Sequence, residues 1–181
     1  MNYNVYPEIK PGKKFFKRIY ISIMMWVVGR GIQAAARVDK VVKAEFLKLG
    51  DDFSFSLGVV PDGPFMIVGT NKKGKVKYMG WNPEGKQISL KLCIKNIEAA
   101  FLVFSFQEST AIAFAHNRFI VDGDLPASLS IVKVLDRVEI YLLPKFFASM
   151  AVKRYPKWSE LPPLRKYIGR VLIYLRVFTI G

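Results

Sequence analysis

The stretch RFIVDGDLPASLSIVKVLDRVEIYLL, Arg118–Leu143, decides the fold of this 181-residue chain. A β-branched and aromatic run meets a Gly-Asp turn at Gly123 and Asp124, and a long amphipathic helical pattern begins within two residues. Asp124 is placed to cap that helix, and Pro126 lies in its first turn, where a missing N–H donor costs nothing. The stretch therefore predicts a strand, a tight turn and a helix, with Gly123 and Asp124 as the structural joint.

The predicted helix carries one apolar stripe. Its members recur at three- and four-residue spacing and are Leu125, Leu129, Val132, Leu135, Val138 and Leu142. None of these residue types can carry out acid–base or nucleophilic chemistry. A sheet packed under this helix would leave an apolar space, and that space is either a filled core or a ligand cavity.

The chain is strongly basic, but its charge is unevenly distributed. The net charge is +14, of which residues 1–50 carry +7, residues 51–150 carry +1 and residues 151–181 carry +6. High positive charge indicates a negative partner, either anionic lipid or nucleic acid. The basic ends are also apolar and aromatic, unlike the Gly-, Ser- and Lys-rich arms that usually follow a phosphate backbone.

Residues able to do chemistry are few and poorly grouped. Cys93 is the one cysteine, so there is no intrachain disulfide, which fits a reducing compartment. Asp122 and Asp124 are two residues apart, but capping accounts for Asp124 and no histidine accompanies them in sequence. His116, the one histidine, has no partner in the Ser-His-Asp manner and is interpreted as a turn residue. We expect no catalytic residues, no metal site and no cofactor.

Periodicity along the rest of the chain predicts an α+β domain. Helical patterns cover Lys13 to about Leu49, with Gly29 and Gly31 indicating two helices or a kink. The apolar run Ile19–Val28 is about half of the roughly 20 residues that a membrane-spanning helix needs.

Alternating strands follow from Phe53 to Lys95. Two short helices, the strand of the opening stretch, and further helices from Pro144 and from Pro163 come after them. Because the strands alternate sharply, the sheet should show serine and lysine to solvent on the face without helices.

This order of elements resembles the sterol carrier protein family. The resemblance rests on the joint VDGDLPASLSIVKVLDRV (Val121–Val138), the meander from Phe53 to Lys95 and the short helical excursion after it, and it covers roughly Val38 to Val152. It implies a single five-stranded, mostly antiparallel sheet, covered on one face by helices, that encloses an apolar cavity for sterols, fatty acyl chains or related lipids. The expected organisation is a basic amphipathic N-terminal helical arm at 1–37, the lipid-binding domain at 38–155 and a basic amphipathic helix at 156–181.

The inward-facing apolar residues are the candidates for lining that cavity. They are Phe53, Phe55, Leu57, Ile88, Leu90, Leu92, Phe101, Phe104, Phe119, Val121, Leu129, Val132 and Leu135. The alternative is that they fill a dry core and bind nothing. Sequence pattern cannot separate the two, because both require inward-facing apolar side chains.

The two basic ends have the composition of helices that lie in a membrane interface. The residues expected to contact the membrane are Lys13, Lys14, Phe15, Phe16, Lys17, Arg18, Arg165, Lys166, Tyr167, Arg170, Tyr174 and Arg176. Their apolar sides would enter the acyl boundary, and each cation near an anionic surface contributes on the order of 1 kcal/mol. The alternative is that both helices pack on the domain or on a second subunit.

These patterns predict a non-enzymatic protein that binds an apolar lipid and transfers or presents it at a membrane surface. The ligand would be of fatty acyl, sterol, terpenoid or quinone type, and the expected location is cytoplasmic and peripherally membrane-associated. One alternative is an accessory or scaffold protein that binds enzymes of a membrane-associated lipid pathway, with a homodimer as a further option for the arms. A nucleic-acid-binding protein is the least favoured alternative, because the chain has no aromatic RNA-reading strand motif.

Overall fold

The structure is a computed structural model that describes residues 14–71, 74–143 and 163–179. The described helices are α1 (Phe15–Val38), α2 (Lys40–Leu49), α3 (Ile97–Phe104), α4 (Thr110–Ala115), α5 (Leu125–Leu142) and α6 (Pro163–Thr179). The strands are β1 (Ser54–Val59), β2 (Phe65–Thr70), β3 (Val76–Gly80), β4 (Leu90–Ile94) and β5 (Phe119–Gly123). Lys13 and the helix predicted from Pro144 lie outside the described residues.

The five strands form one mixed sheet in the order β3-β2-β1-β4-β5. Three of its four pairings are antiparallel, and β1 and β4 are parallel, with Leu57 opposite Leu92. The helix-facing side chains of the central strands, such as Phe55, Leu57, Leu90 and Leu92, are buried in one apolar core. The predicted α+β class, with a mostly antiparallel five-stranded sheet under a layer of helices, is confirmed.

The connection between β3 and β4 covers part of the sheet face that lies opposite the helices. Because β3 and β4 lie on opposite sides of the β2-β1 pair, the chain after Gly80 must return across the sheet before β4 begins. The Ser54 hydroxyl, on the face away from the helices, donates to the Gln87 carbonyl of this connection at 2.5 Å. Ser54 and Ser56 are therefore buried, and the prediction that these serines face solvent is wrong.

Helix α1 is continuous through the two glycines that the sequence analysis interpreted as an interruption. A Cβ atom at Gly29 would lie 2.6 Å from the Tyr78 ring, and one at Gly31 would lie 3.1 Å from Leu142. The glycines thus allow close packing on β3 and α5 instead of ending the helix. The break comes at Asp39, between α1 and α2.

The long α1 helix packs on the sheet. Its residues Ile21, Met25 and Ile32 belong to the same core as the strands. Among the described residues, Phe15–Val38 is the one helix long and apolar enough to cross a membrane, but 56% of its most apolar window is buried inside the protein. A core helix passes the same test of length and composition, so this packing accounts for its hydropathy.

Helix α5 is rotated relative to the predicted stripe. Leu125 and Leu129 are 65% and 58% exposed, whereas Ser128 and Ile131 are buried. The apolar surface of this helix is wider than one contact face, so periodicity alone could not select the buried half. Ser128 is accommodated because its hydroxyl donates to the Leu125 carbonyl at 2.7 Å.

Asp39 connects three helices through one buried carboxylate. It caps α2 by accepting from the Val41 N–H at 2.7 Å, and its Oδ2 atom accepts from Arg137 Nε at 2.8 Å and from the Tyr141 hydroxyl at 2.5 Å, both on α5. Burial by itself opposes ionisation, but the Tyr141 and Arg137 interactions and the Val41 N–H outweigh it and lower the pKa of Asp39. The carboxylate therefore fixes the end of α1, the start of α2 and the rotation of α5.

Helix α6 is held on the last turn of α5. The Arg170 guanidinium donates to the carbonyl oxygens of Tyr141 at 2.9 Å, Ile140 at 3.2 Å and Leu143 at 2.5 Å. These belong to the C-terminal turn, where carbonyl groups lack helical partners and the helix dipole favours a cation. A Cβ atom at Gly169 would lie 3.0 Å from the Tyr141 ring, so α6 also approaches α5 closely.

The substitution Asp39→Asn should lower the free energy of unfolding by on the order of 3 kcal/mol, because asparagine keeps the cap acceptor but leaves Arg137 without its buried anion. Urea titration followed by circular dichroism measures the change. Asp124→Asn is the matched control, since Asp124 is an exposed cap that accepts from Ala127 N–H at 2.9 Å. Equal effects of the two substitutions would contradict the special role of Asp39.

Because its pKa is lowered on folding, the stability that Asp39 contributes is present above about pH 4 and is lost as the pH falls through its folded pKa.

Candidate functional site

A cavity of about 500 Å³ lies between α1, α5 and one end of the sheet. Its floor is formed where the ends of β1 and β4 meet the start of β5, at Leu57, Ile94 and Phe119. The walls are formed by residues of α1, of α3 and the loop after it, of the start of α4, of α5 and the residue after it, and of α6. They are Tyr20, Met24, Val27, Val28, Val103, Phe104, Ser105, Phe106, Thr110, Leu135, Glu139, Leu142, Leu143 and Tyr174. The lining is mostly apolar, and its volume lies in the range of small-molecule sites.

Three hydroxyl groups of the cavity wall donate to backbone carbonyl groups. The Tyr20 hydroxyl donates to Phe104 O at 2.9 Å, and the Ser105 hydroxyl donates to Phe101 O at 2.5 Å. The Tyr174 hydroxyl donates to Leu142 O. These hydrogen bonds join α1 to α3 and α6 to α5, so they stabilise the walls and direct their protons away from the cavity.

Glu139 is the acidic residue of the cavity lining. Its Oε2 atom is buried and has no hydrogen-bond partner among the described residues. Burial, with a smaller effect from the Asp136 carboxylate one turn earlier, raises the pKa of Glu139 to about 8. At neutral pH the side chain is therefore a carboxylic acid, which can donate one hydrogen bond and accept others.

The structure brings only part of the predicted cavity set together. Leu57, Phe104, Phe119 and Leu135 line the cavity. The others occupy the core or its edges: Phe53, Phe55, Leu90 and Leu92 are buried, and Phe101, Val121, Val132 and Ile88 are partly buried. Leu129 is 58% exposed and does not line this space, because α5 turns Ser128 and Ile131 inward instead.

The contribution of α1 to the cavity was not predicted from the sequence. Tyr20, Met24, Val27 and Val28 form one wall, but they fall within the residues predicted to be an N-terminal arm. Their spacing along a helix was a usable signal, because an apolar face that extends over nine residues needs a surface to cover it. Glu139 carries no such signal, because the apolar spacing continues through Leu135, Val138 and Leu142 beside it.

The acidic, histidine and cysteine residues considered from the sequence are engaged elsewhere. Asp124 caps α5, and Asp122 pairs with Lys91 at 3.2 Å on the face of the sheet away from the helices. His116 Nδ1 lies 2.5 Å from Glu108 Oε1, and Arg118 Nε lies 2.6 Å from Glu108 Oε2.

Cys93 is not activated as a nucleophile. Burial raises the pKa of its thiol, against the lowering effect of Lys91, so the thiolate form is disfavoured. Within residues 14–71, 74–143 and 163–179, no cluster of three or more His, Cys, Asp or Glu side chains could hold a metal ion.

Several of the cations predicted to contact a membrane also have partners within the protein. Lys14 pairs with Glu98 at 2.5 Å, and Lys17 pairs with the other oxygen of Glu98. Lys166 is 8% exposed, and Arg170 is bonded to the end of α5. Phe15, Phe16, Arg18, Tyr167 and Tyr174 are exposed, Arg176 is partly buried, and the side chain of Arg165 lies outside what the structure describes.

Helix α6 presents an exposed apolar face, which we call the α6 face. It consists of Ile168, Val171, Leu172, Leu175 and Phe178, each between 38% and 67% exposed. The Phe178 ring lies 5.9 Å from the Trp26 ring of α1, so the face continues onto that helix. Arg30, Arg37 and Arg176 surround a small cleft beside it, and Arg30 Nη1 donates to Val177 O at 2.8 Å.

No protein-family model matches the chain, and no curated protein matches it in sequence. Solved structures similar to it include the ubiquinone synthesis protein UbiJ-SCP2, with 11% identity over 68% of this chain and 98% of that chain and a TM-score of 0.44. Sterol carrier protein 2 from Yarrowia lipolytica, in its apo form, has 11% identity over 71% and 95% of the two chains and a TM-score of 0.45. Sterol carrier protein domain 2 of Helicoverpa armigera has 17% identity over 72% and 94% and a TM-score of 0.41.

The substitution Glu139→Gln should stabilise the protein at alkaline pH and leave it nearly unchanged at about pH 5. Because the pKa of Glu139 rises to about 8 on folding, stability declines as the pH rises from about 4.5 through 8, by on the order of 5 kcal/mol. Thermal unfolding at a series of pH values tests this, with the exposed Glu84→Gln as control. Parallel curves for wild type and Glu139→Gln would show that Glu139 does not titrate abnormally.

Proposed function

We propose that this protein binds an apolar lipid in the cavity without altering it chemically, and transfers or presents the lipid at a membrane surface. The observation that carries this proposal is the apolar space of about 500 Å³ between α1, α5 and the sheet. The ligand would be of fatty acyl, sterol, terpenoid or quinone type. Removing apolar area from water would drive binding, at roughly 25 cal/mol per Å².

The engagement of the chemically capable side chains supports a role without catalysis. Asp122 and Asp124 serve in an ion pair and a helix cap, and the raised pKa of Cys93 disfavours its thiolate. The His116–Glu108–Arg118 group does not line the cavity. A lipid bound there would therefore meet apolar walls and the Glu139 carboxyl group.

The α6 face supports docking on a membrane. It places five large apolar side chains in solvent on one helix, and exposed apolar surface of this kind often marks a binding site. Arg30, Arg37 and Arg176 lie beside it and could meet anionic headgroups. Phe15 and Phe16, at the start of α1, are 62% and 85% exposed and would add a second apolar contact.

The same α6 face favours a second function, that of an accessory protein that binds enzymes of a membrane-associated lipid pathway. Apolar side chains rimmed by arginine residues also suit a protein interface. The two functions differ in what covers the α6 face, so vesicle binding separates them.

A bulky side chain placed in the cavity should abolish lipid binding. Val103 is partly buried and lines the cavity, so Val103→Trp would occupy space that a ligand needs. Ile112→Trp is the matched control, because Ile112 is 49% exposed and lies outside the cavity. Displacement of a fluorescent hydrocarbon probe, together with native mass spectrometry of protein purified from its own host, measures occupancy. Undiminished binding by Val103→Trp, or no bound lipid and no probe binding by wild type, would contradict the proposal.

Charges placed on the α6 face should weaken membrane binding. The double variant Leu175→Glu/Phe178→Glu should bind vesicles of anionic phospholipid at least about tenfold more weakly than wild type in sedimentation. Leu47→Glu is the control, since Leu47 is 64% exposed on α2. Vesicle binding that is unchanged in the double variant would show that another surface docks. Failure of wild type to bind anionic or neutral vesicles would reject the membrane role and leave the accessory function.

A further inference from the structure

Glu139 stands where an apolar cavity would be expected to carry an apolar residue. It follows Leu135 by one turn and precedes Leu142 by three residues, and all three line the cavity from α5. Its buried Oε2 atom has no hydrogen-bond partner among the described residues. Leaving a buried polar atom unpaired costs roughly 1–3 kcal/mol, so an apolar residue of similar size would stabilise an empty cavity better.

The other polar side chains of the wall are four hydroxyl groups, those of Tyr20, Ser105, Thr110 and Tyr174, and three of them are engaged with backbone carbonyls. The hydroxyl protons of Tyr20, Ser105 and Tyr174 are donated to the carbonyls of Phe104, Phe101 and Leu142. A neutral Glu139 retains an O–H donor and carboxyl acceptors next to the open space. It can therefore satisfy both an oxygen acceptor and a hydroxyl donor of a ligand.

Resting on the proposed lipid-binding function, we propose that Glu139 anchors the polar end of the ligand, and that the cavity selects apolar molecules ending in a neutral hydroxyl or carbonyl group over those ending in a carboxylate. A carboxylate would have to leave water for an apolar space, and the desolvation of its charge costs far more than that of a neutral oxygen group. A neutral oxygen group forms the hydrogen bond to Glu139 without bringing in charge. Glu139 would thus supply affinity for the polar end, and the apolar walls would supply the selectivity against charge.

The surroundings of Glu139 contain few charges that could reverse this preference. Titratable and charged groups of the cavity wall and of the elements packed around it include Tyr20 of α1, Asp136 of α5, Tyr174, Arg170 and the buried Lys166 of α6, and Glu108 of the loop before α4. Arg170 donates to three carbonyl groups of α5, and Glu108 pairs with His116 and Arg118. Burial raises the pKa of Tyr20, so it is uncharged at neutral pH.

The test compares three ligands of one chain length on three proteins. Dodecanol, dodecanoate and dodecylamine compete with a fluorescent hydrocarbon probe for wild type, Glu139→Gln and Glu139→Leu. Wild type should bind dodecanol about tenfold more tightly than dodecanoate. Glu139→Gln, which keeps a donor and an acceptor, should preserve the affinity for dodecanol, and Glu139→Leu should bind dodecanol about tenfold more weakly while still binding the hydrocarbon probe.

A pH series provides a readout that a merely structural role would not change. The affinity of wild type for dodecanol should fall as the pH rises from about 7 to about 9, where Glu139 loses its proton, and that of Glu139→Gln should stay constant. Equal affinities of wild type for dodecanol and dodecanoate would overturn the proposal. It would also be overturned if wild type bound dodecylamine most tightly and Glu139→Gln no longer bound it, because Glu139 would then act as an anion. Failure of the hydrocarbon probe to bind any of the three proteins would reject lipid binding itself. Probe binding with equal affinities for dodecanol and dodecanoate would reject only the role of Glu139, so the two outcomes are distinguishable.

Discussion

The buried Asp39 carboxylate is the interaction on which the arrangement of the helices depends. It lies at the junction of α1 and α2 and accepts hydrogen bonds from Val41 N–H, Arg137 and Tyr141. Without an anion there, Arg137 would be a partly buried cation with no partner, and α5 would lose the contact that sets its rotation. A single acidic side chain therefore connects the helix that begins the described chain to the helix that walls the cavity.

The cavity exists because the last turns of α5 are held at a fixed distance from α1 and α6. Gly31 allows α1 to approach Leu142, and Gly169 allows α6 to approach the Tyr141 ring. Arg170 bonds the terminal carbonyl groups of α5 and also compensates its dipole. These close contacts surround the turn that carries Glu139, so the position of its carboxyl group is determined by packing on several sides.

The basic character of the chain is divided between internal and external roles. Arg137, Arg170 and Lys166 are used inside the protein, where they pair with Asp39, bond carbonyl groups or lie buried. Arg30, Arg37 and Arg176 gather beside the exposed α6 face. The net charge of +14 therefore overstates the positive charge at the surface, and the proposed membrane docking rests more on the exposed apolar residues of α6.

Local patterns in the sequence determined the strands, the short helices and the Gly123-Asp124 joint. Alternation specifies a strand face, and a cap or a positive φ angle, 133° at Gly123, depends on a few neighbouring residues. The sequence also predicted an apolar space under α5. It could not decide which half of the α5 surface is buried, or that Gly29 and Gly31 are packing contacts, since both depend on residues distant in the chain.

Tertiary structure alone decided where the cavity lies and how the acidic group in its wall ionises. Tyr20 and Met24 of α1 reach the cavity only because that helix lies across the sheet, and Ser54 is buried only because the chain between β3 and β4 crosses the opposite face. Glu139 is an ordinary helical glutamate in the sequence, and only burial beside Asp136 raises its pKa to about 8. Position along a chain specifies local conformation, whereas burial and proximity, which control ionisation and binding, arise from the assembled fold.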